Sequence, residues 1–254
     1  MNDNDNINLG RSLNKAMSFL KKKNVMNIIL IIILLALLIG GSWVRLQNLP
    51  LLQDSTTGNA IPLALDPFYF LRVAETIVAE DGLPAFDAMR NPSLEVGFTN
   101  EILPQVLVFM YKVAKVFNED VSLASVDVIY PVLFFALGLL VFYFLIFYLT
   151  KSKTTAILSA AVLAFIPPYL YRTLAGFADH EAIGMFSSFL LLLGYAFALK
   201  FLNKQRVKGT KLVKTILFGA LVGFLSALTI VSWGGHCKTY ICSNPNQFCN
   251  LLVG

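Results

Sequence analysis

Charge is what this sequence has least of: only 14% of its 254 residues are Asp, Glu, Lys or Arg, where soluble domains carry about 25%. Cysteine is also scarce. Its three copies, Cys237, Cys242 and Cys249, all fall in the last eighteen residues, and an odd count confined to one tail says little about redox compartment. His236 joins them there, but the spacing matches no standard zinc pattern. Basic residues interleaved with aromatics are missing, which excludes a nucleic-acid-binding surface. What replaces charge is apolar bulk: 57% of the residues are hydrophobic, gathered in runs of about 20, the length that spans a bilayer. The sequence therefore reads as an all-α, multi-pass integral membrane protein. Its formal net charge of +5 is loop charge biased towards one leaflet.

Residues 1–24 are polar and then basic, with Arg11, Lys15 and Lys21 to Lys23 ahead of the run Val25 to Val44. A signal-peptide core is only about 7–15 residues long, so this longer run reads as an uncleaved first span. Asn24 is placed to cap it, and Trp43 and Arg45 read as interfacial anchors at its far end. Residues 45–128 form a long interval with eleven acids against five bases. Within it Asp66-Pro67 looks like a helix start, Asp as N-cap and Pro at the first helical position, with an apolar stripe following and Gly82 as the stop. Four more apolar segments follow: Ile129 to Thr150, Thr155 to Tyr169, Ile183 to Phe201 and Thr215 to Trp233.

Ile102 to Phe117 is apolar but short, and it contains Lys112 and Lys115. If it spanned, the basic loops would divide between both sides. If it lies at the interface, Lys151, Lys153 and the six bases from Lys200 to Lys214 all fall with the N-terminus. The positive-inside rule selects the second arrangement: five transmembrane helices, the N-terminus cytoplasmic, and a long first external loop containing amphipathic helices. Both acid-rich loops then share the non-cytoplasmic face. Asp66 and Asp179, 113 positions apart, can meet there.

Asp179, His180 and Glu181 put two acids and a histidine between long uncharged runs. One reading is that they open the helix near Ile183, where acids suit the helix dipole. The other is ligation. Two carboxylates at i and i+2 can hold one hard cation if the backbone is a loop or extended there; oxygen donors favour Mg²⁺, Mn²⁺ or Ca²⁺, and an imidazole shifts the choice towards Mn²⁺ or Zn²⁺. Asp66 is open to the same two readings, since one carboxylate oxygen can cap while the other binds metal. Arg172 is either a snorkelling arginine beside Tyr169 and Tyr171 or a group that orients a carboxylate or holds an anionic phosphate.

Three blocks, ALDPFYFLRVAE around Asp66, YRTLAGFADHEAIGMF around Asp179 and SWGG after the last span, resemble in sequence and order the catalytic subunit of oligosaccharyltransferases. This is the STT3/AglB/PglB group of membrane glycosyltransferases with the GT-C fold. The resemblance covers about Val25 to Gly235. It implies that residues 25–235 are the N-terminal part of a GT-C transmembrane domain. The implied activity is transfer of an oligosaccharide from a lipid-linked pyrophosphate donor, on a polyprenyl or dolichyl carrier, to Asn in an Asn-X-Ser/Thr sequon of an acceptor protein. Carried over, Asp66, Asp179 and Glu181 help hold a catalytic Mn²⁺ or Mg²⁺, with Arg172 the basic group beside them. An amide nitrogen is a poor nucleophile; carboxylates can accept its N–H bonds, and a metal can act as Lewis acid towards the departing pyrophosphate.

The resemblance has gaps. Members of that group continue with further spans, another acidic loop motif and a soluble domain bearing a WWDYG-type motif, none of which is present. Residues 236–254 turn polar where the group stays hydrophobic, so they read as a frame-shifted or artificial end, and the chain alone is expected to be inactive. Two other functions fit the composition: a different GT-C transferase acting on another acceptor, and a cation transporter. Against transport, the five expected spans contain no acid and a single base, Lys200 at the end of one, and no inverted repeat is evident.

Overall fold

The computed structural model describes residues 23–90, 95–98, 101–202 and 210–233, so the polar N-terminus and the tail from 236 lie outside the described residues. Among the described residues eight α-helices follow one another: α1 (Lys23–Leu46), α2 (Leu65–Glu80), α3 (Ile102–Phe117), α4 (Leu123–Thr150), α5 (Lys153–Phe165), α6 (Pro167–Tyr171), α7 (His180–Leu202) and α8 (Thr210–Ser232), with a single 3₁₀ turn at Leu49–Leu51. There is no sheet among the described residues, only an isolated bridge between Gln53 and Ala60. Four helices, α1, α4, α7 and α8, are long and apolar enough to cross a membrane; 23 residues at 1.5 Å each cover roughly 35 Å, against a hydrocarbon core of about 30 Å.

The expected span Thr155 to Tyr169 is in two pieces. α5 stops at Phe165 and α6 restarts at Pro167. Pro167 and Pro168 lack the N–H groups that would bond the carbonyls of Leu163 and Ala164, and a proline ring inside a helix also crowds the preceding turn. Ile166, at φ −63° and ψ 125°, takes the extended conformation favoured before proline.

Three further differences have local causes. Asp66 is not the cap of α2. Ala64 holds that position in extended conformation, no side chain caps the end, and Asp66 lies inside the first turn. Pro67 is accommodated because first-turn N–H groups have no intrahelical acceptor to lose. Gly82 is not the stop either: Asp81 takes the left-handed conformation at φ 53°, as Asp does more readily than most residues. α4 starts six residues before Ile129, where the Ser122 hydroxyl accepts from Ser125 N–H at 3.1 Å. The extra turns carry Asp127 into the buried part of α4, and α7, which starts at His180, carries Glu181 in its first turn, so two of the long apolar helices contain an acid. Finally, Asn24 lies within α1, and Arg45 is fully buried, whereas Trp43 is 62% exposed.

The helices alternate in direction. At one end Lys153, opening α5, donates to Asn27 Oδ1 near the start of α1 at 2.8 Å. The opposite end gathers the first long loop and the short turn between α6 and α7. Ala175 N–H donates to Arg45 O (3.0 Å), Gly176 N–H to Val128 O (2.8 Å) and Leu63 N–H to Gly176 O (2.8 Å); Asn48 Nδ2 donates to Ala175 O at 2.9 Å. Beneath them a core joins Phe70 and Leu71 of α2, Leu103 and Leu107 of α3, Tyr130 and Phe134 of α4, and Ile183 of α7.

Gly176 is needed twice over. Its φ of 81° is the left-handed region, and a Cβ there would lie 2.7 Å from Leu52 and 3.1 Å from Leu63 N. Strain of that conformation costs a non-glycine residue about 1–3 kcal/mol, and the contacts add to it. Gly176→Ala is therefore expected to lower the melting temperature of the detergent-solubilised protein. An unchanged melt would contradict the tight docking of this turn.

Candidate active site

Where the two loops gather there is a cavity of about 310 Å³ lined by Asp66, Tyr69, Phe70, Arg90, Glu101, Asp179 and His180. Asp66 comes from the first turn of α2 and is exposed. Asp179 precedes α7 and is 8% exposed. Its Oδ1 accepts from the backbone N–H of His180 at 2.7 Å. The two acids therefore border one hollow despite their separation in sequence.

Glu181 and Arg172 are placed differently. α7 begins at His180 rather than near Ile183, so Glu181 stands in its first turn while Asp179 precedes it, and Glu181 does not line the cavity. Its Oε1 pairs instead with Arg172 Nη1 at 3.1 Å, and Arg172 also lies 5.1 Å from the Phe177 ring centroid. Oε2 of Glu181 is buried without a hydrogen bond. Arg172 does orient a carboxylate here, that of Glu181.

The cavity wall holds groups whose local sequence gave no sign of it. Glu101 sits at the N-cap position of α3 without capping it. Its carboxylate reaches His180 Nε2 at 3.3 Å, while the imidazole packs edge-on against Phe70, centroids 4.8 Å apart. An acid before an amphipathic helix reads as dipole complement. Nothing short of the tertiary fold turns it towards His180. Arg90 belongs to a segment held by another ion pair: Arg72 grips Asp87 through Nη1–Oδ1 at 2.9 Å and Nη2–Oδ2 at 2.5 Å.

Two carboxylates suit an ion that keeps water or substrate oxygens in most of its coordination sphere, the habit of Mg²⁺, and Mn²⁺ shares its preference for oxygen donors. They do not form a closed cage. Among the described residues no group of three His, Cys, Asp or Glu side chains is placed to hold a metal ion, so Asp66, Asp179 and Glu181 are not gathered as one ligand set in this conformation.

A bundle of apolar helices with an acidic cavity at the end where its loops meet defines a polytopic membrane protein whose polar site lies beside the spans, not inside them. Residues 29–244 match the family model described as Oligosaccharyl transferase STT3, N-terminal, and the chain belongs to that family. A curated relative from Archaeoglobus fulgidus, a dolichyl-phosphooligosaccharide-protein glycotransferase 2, is 29% identical over 174 residues, which is 68% of this chain and 26% of that protein. Solved oligosaccharyltransferases from the same organism share the fold. The apo form is 20% identical with a TM-score of 0.58 over 79% of this chain and 24% of that one. A complex with Zn and sulfate gives 22% and 0.56 over 78% and 25%. An AglB complex with an inhibitory peptide and a dolichol-phosphate gives 21% and 0.57 over 79% and 24%. This chain thus spans about a quarter of the length of those relatives.

The Arg72–Asp87 pair carries a pH dependence. Hydrogen bonds from Arg72 hold the Asp87 carboxyl below its ordinary value, against the opposing effect of burial. A depressed folded-state value means the pair stabilises the loop above the usual carboxylate range, around pH 3.9, and loses that contribution as pH falls through the lower folded value. Hydrogen exchange in residues 81–90 is expected to rise in acid at that step, and the step should vanish in Arg72→Gln. Exchange with the same pH profile in both proteins would contradict the pairing.

Proposed function

We propose that this chain forms the N-terminal part of a membrane oligosaccharyltransferase, which moves a glycan from a lipid-linked pyrophosphate donor to the side-chain amide of Asn in an Asn-X-Ser/Thr sequon. The observation that carries the reading is that Asp66 and Asp179, from separate loops, line one cavity at the loop end of the bundle. Family membership supports it, and so do the dolichyl donor in one relative's name and the peptide and dolichol-phosphate bound by another. An interfacial site suits such a donor, whose tail stays in lipid while its pyrophosphate stands in water.

In this reading Asp66 and Asp179 accept hydrogen bonds from the acceptor amide N–H groups and hold the amide at the donor's anomeric carbon. The N–C bond forms, the C–O bond breaks with its electron pair leaving on the lipid pyrophosphate, and the amide proton passes to one of the two carboxylates and from there to water. Asp66 and Asp179 would also ligate a Mg²⁺ or Mn²⁺ ion, and Glu181 would join them on release from Arg172. That ion, when bound, neutralises charge on the leaving pyrophosphate. Arg172, a planar guanidinium free to exchange a carboxylate for a phosphate, would take an anionic oxygen of the donor.

The proposed topology has five spans, with α5 and α6 together making the short one and α3 lying along the interface. The N-terminus and basic loops are cytoplasmic and the acidic cavity is on the other side. Residues 25–235 are the membrane part and 45–128 its first external loop.

Asp66→Asn and Asp179→Asn in the intact membrane-embedded protein are each expected to lower glycan transfer to a sequon peptide by about a hundredfold or more, the scale of losing one electrostatic contact to a transition state. Transfer at the parent rate would refute the assignment. Transfer to a lipid acceptor and not to the peptide would favour a different GT-C transferase.

A further inference from the structure

Arg45 is buried with no exposed surface, and among the described residues no carboxylate pairs with it. Its charge is taken up in other ways. Nη1 donates to Gly41 O and to Ala164 O, both at 3.0 Å. Ala164 lies in the last turn of α5, where helix partial charge is negative, and Gly41 lies one turn before Arg45 on α1. Ala164 O is one that the backbone cannot serve, because the residue four positions on is Pro168. The guanidinium carbon lies 3.4 Å from the Phe135 ring centroid, within cation–π range. Gly41 makes that approach possible, since a Cβ there would meet the Phe135 ring at 2.6 Å.

The remaining bond leads to the site. Arg45 Nε donates to Thr173 Oγ1 at 2.7 Å, and the same hydroxyl donates to Tyr169 O at 2.5 Å. Donor and acceptor are both committed, which fixes the hydroxyl rotor. Thr173 is fully buried; it follows Arg172 directly and stands six residues before Asp179. The backbone carbonyl of Arg45 meanwhile accepts from Ala175 N–H.

We propose that Arg45 is a positioning residue for the acidic cavity. Through Thr173 it sets the turn that carries Arg172 and Asp179 against the first loop, which carries Asp66. The proposal rests on the oligosaccharyltransferase reading for what the cavity does, and on the hydrogen bonds alone for where the turn lies. A lysine cannot replace this arginine: it lacks the planar fork that serves Thr173 and the carbonyls of Gly41 and Ala164 together.

Two readouts test it in the full chain. In a background with Cys237, Cys242 and Cys249 changed to serine, Glu101→Cys and His180→Cys are joined by a short bifunctional thiol reagent. Adding Thr173→Val, which removes only the hydroxyl contacts, is expected to abolish most of the cross-link, and Thr173→Ser to restore it. Arg45→Gln and Arg45→Lys should behave as Thr173→Val does; if either fails to fold, the threonine pair decides. In the native-cysteine protein, Mn²⁺ affinity read by electron paramagnetic resonance should fall about tenfold or more in Thr173→Val, the scale of losing a group that orients ligands. Cross-linking of Thr173→Val at the parent rate, even with a lowered melting temperature, overturns the proposal. Mn²⁺ binding unaffected by Asp66→Asn contradicts the proposed metal site instead, and leaves the cross-link to judge Arg45.

Discussion

A buried arginine between two helix ends holds the loop end of this bundle together. Pro167 and Pro168 break the helix that begins at Lys153 and strip two carbonyls of their backbone donors. Arg45 answers one of them, Ala164 O, while keeping Gly41 O of its own helix and the face of Phe135. An ion taken out of water without a counter-charge is costly. Here carbonyl dipoles and a ring face replace the carboxylate. The consequence is geometric: one side chain ties α1, the α5–α6 break and the turn ahead of α7 into a single unit, so that turn cannot move independently of the first span.

From that unit the polar cavity follows. The turn at 173–176 is pinned by α1, by Val128 of α4 and by Leu63 of the first loop, and α7 starts four residues after it with Asp179 at its mouth. α2 presents Asp66 from the other side, and α3 brings Glu101 to His180. Apolar packing of α2, α3 and α4 beneath the cavity supports this arrangement. The acids stand at the loop end of the bundle.

Much of this was legible in the sequence because hydrophobic runs and loop charges are one-dimensional signals. The runs at Val25, Ile129, Ile183 and Thr215 became helices, and α3 has the bounds Ile102–Phe117 that its apolar pattern gave. The meeting of Asp66 with Asp179 followed from counting crossings. What escaped was set by contacts between distant residues. Arg45 read as an interfacial anchor because its position at a span end fits one; only the carbonyl of Ala164, 119 residues away and left open by the proline break, gives it a reason to be buried. Asp127 read as a loop acid because the helix containing it was expected to start later. Glu181 read as a partner of Asp179 on loop or extended backbone; α7 starts earlier than expected, and Glu181 pairs with Arg172 from its first turn.

The central claim is that two loops far apart in sequence build one site. A double-mutant cycle on Mn²⁺ affinity, using Asp66→Asn, Asp179→Asn and the double variant, addresses it most directly, since residues that share a ligand are coupled and distant ones add. The account predicts strong coupling, with the double variant binding little more weakly than the weaker single one. Losses that simply add, or an affinity untouched by either change, would contradict it.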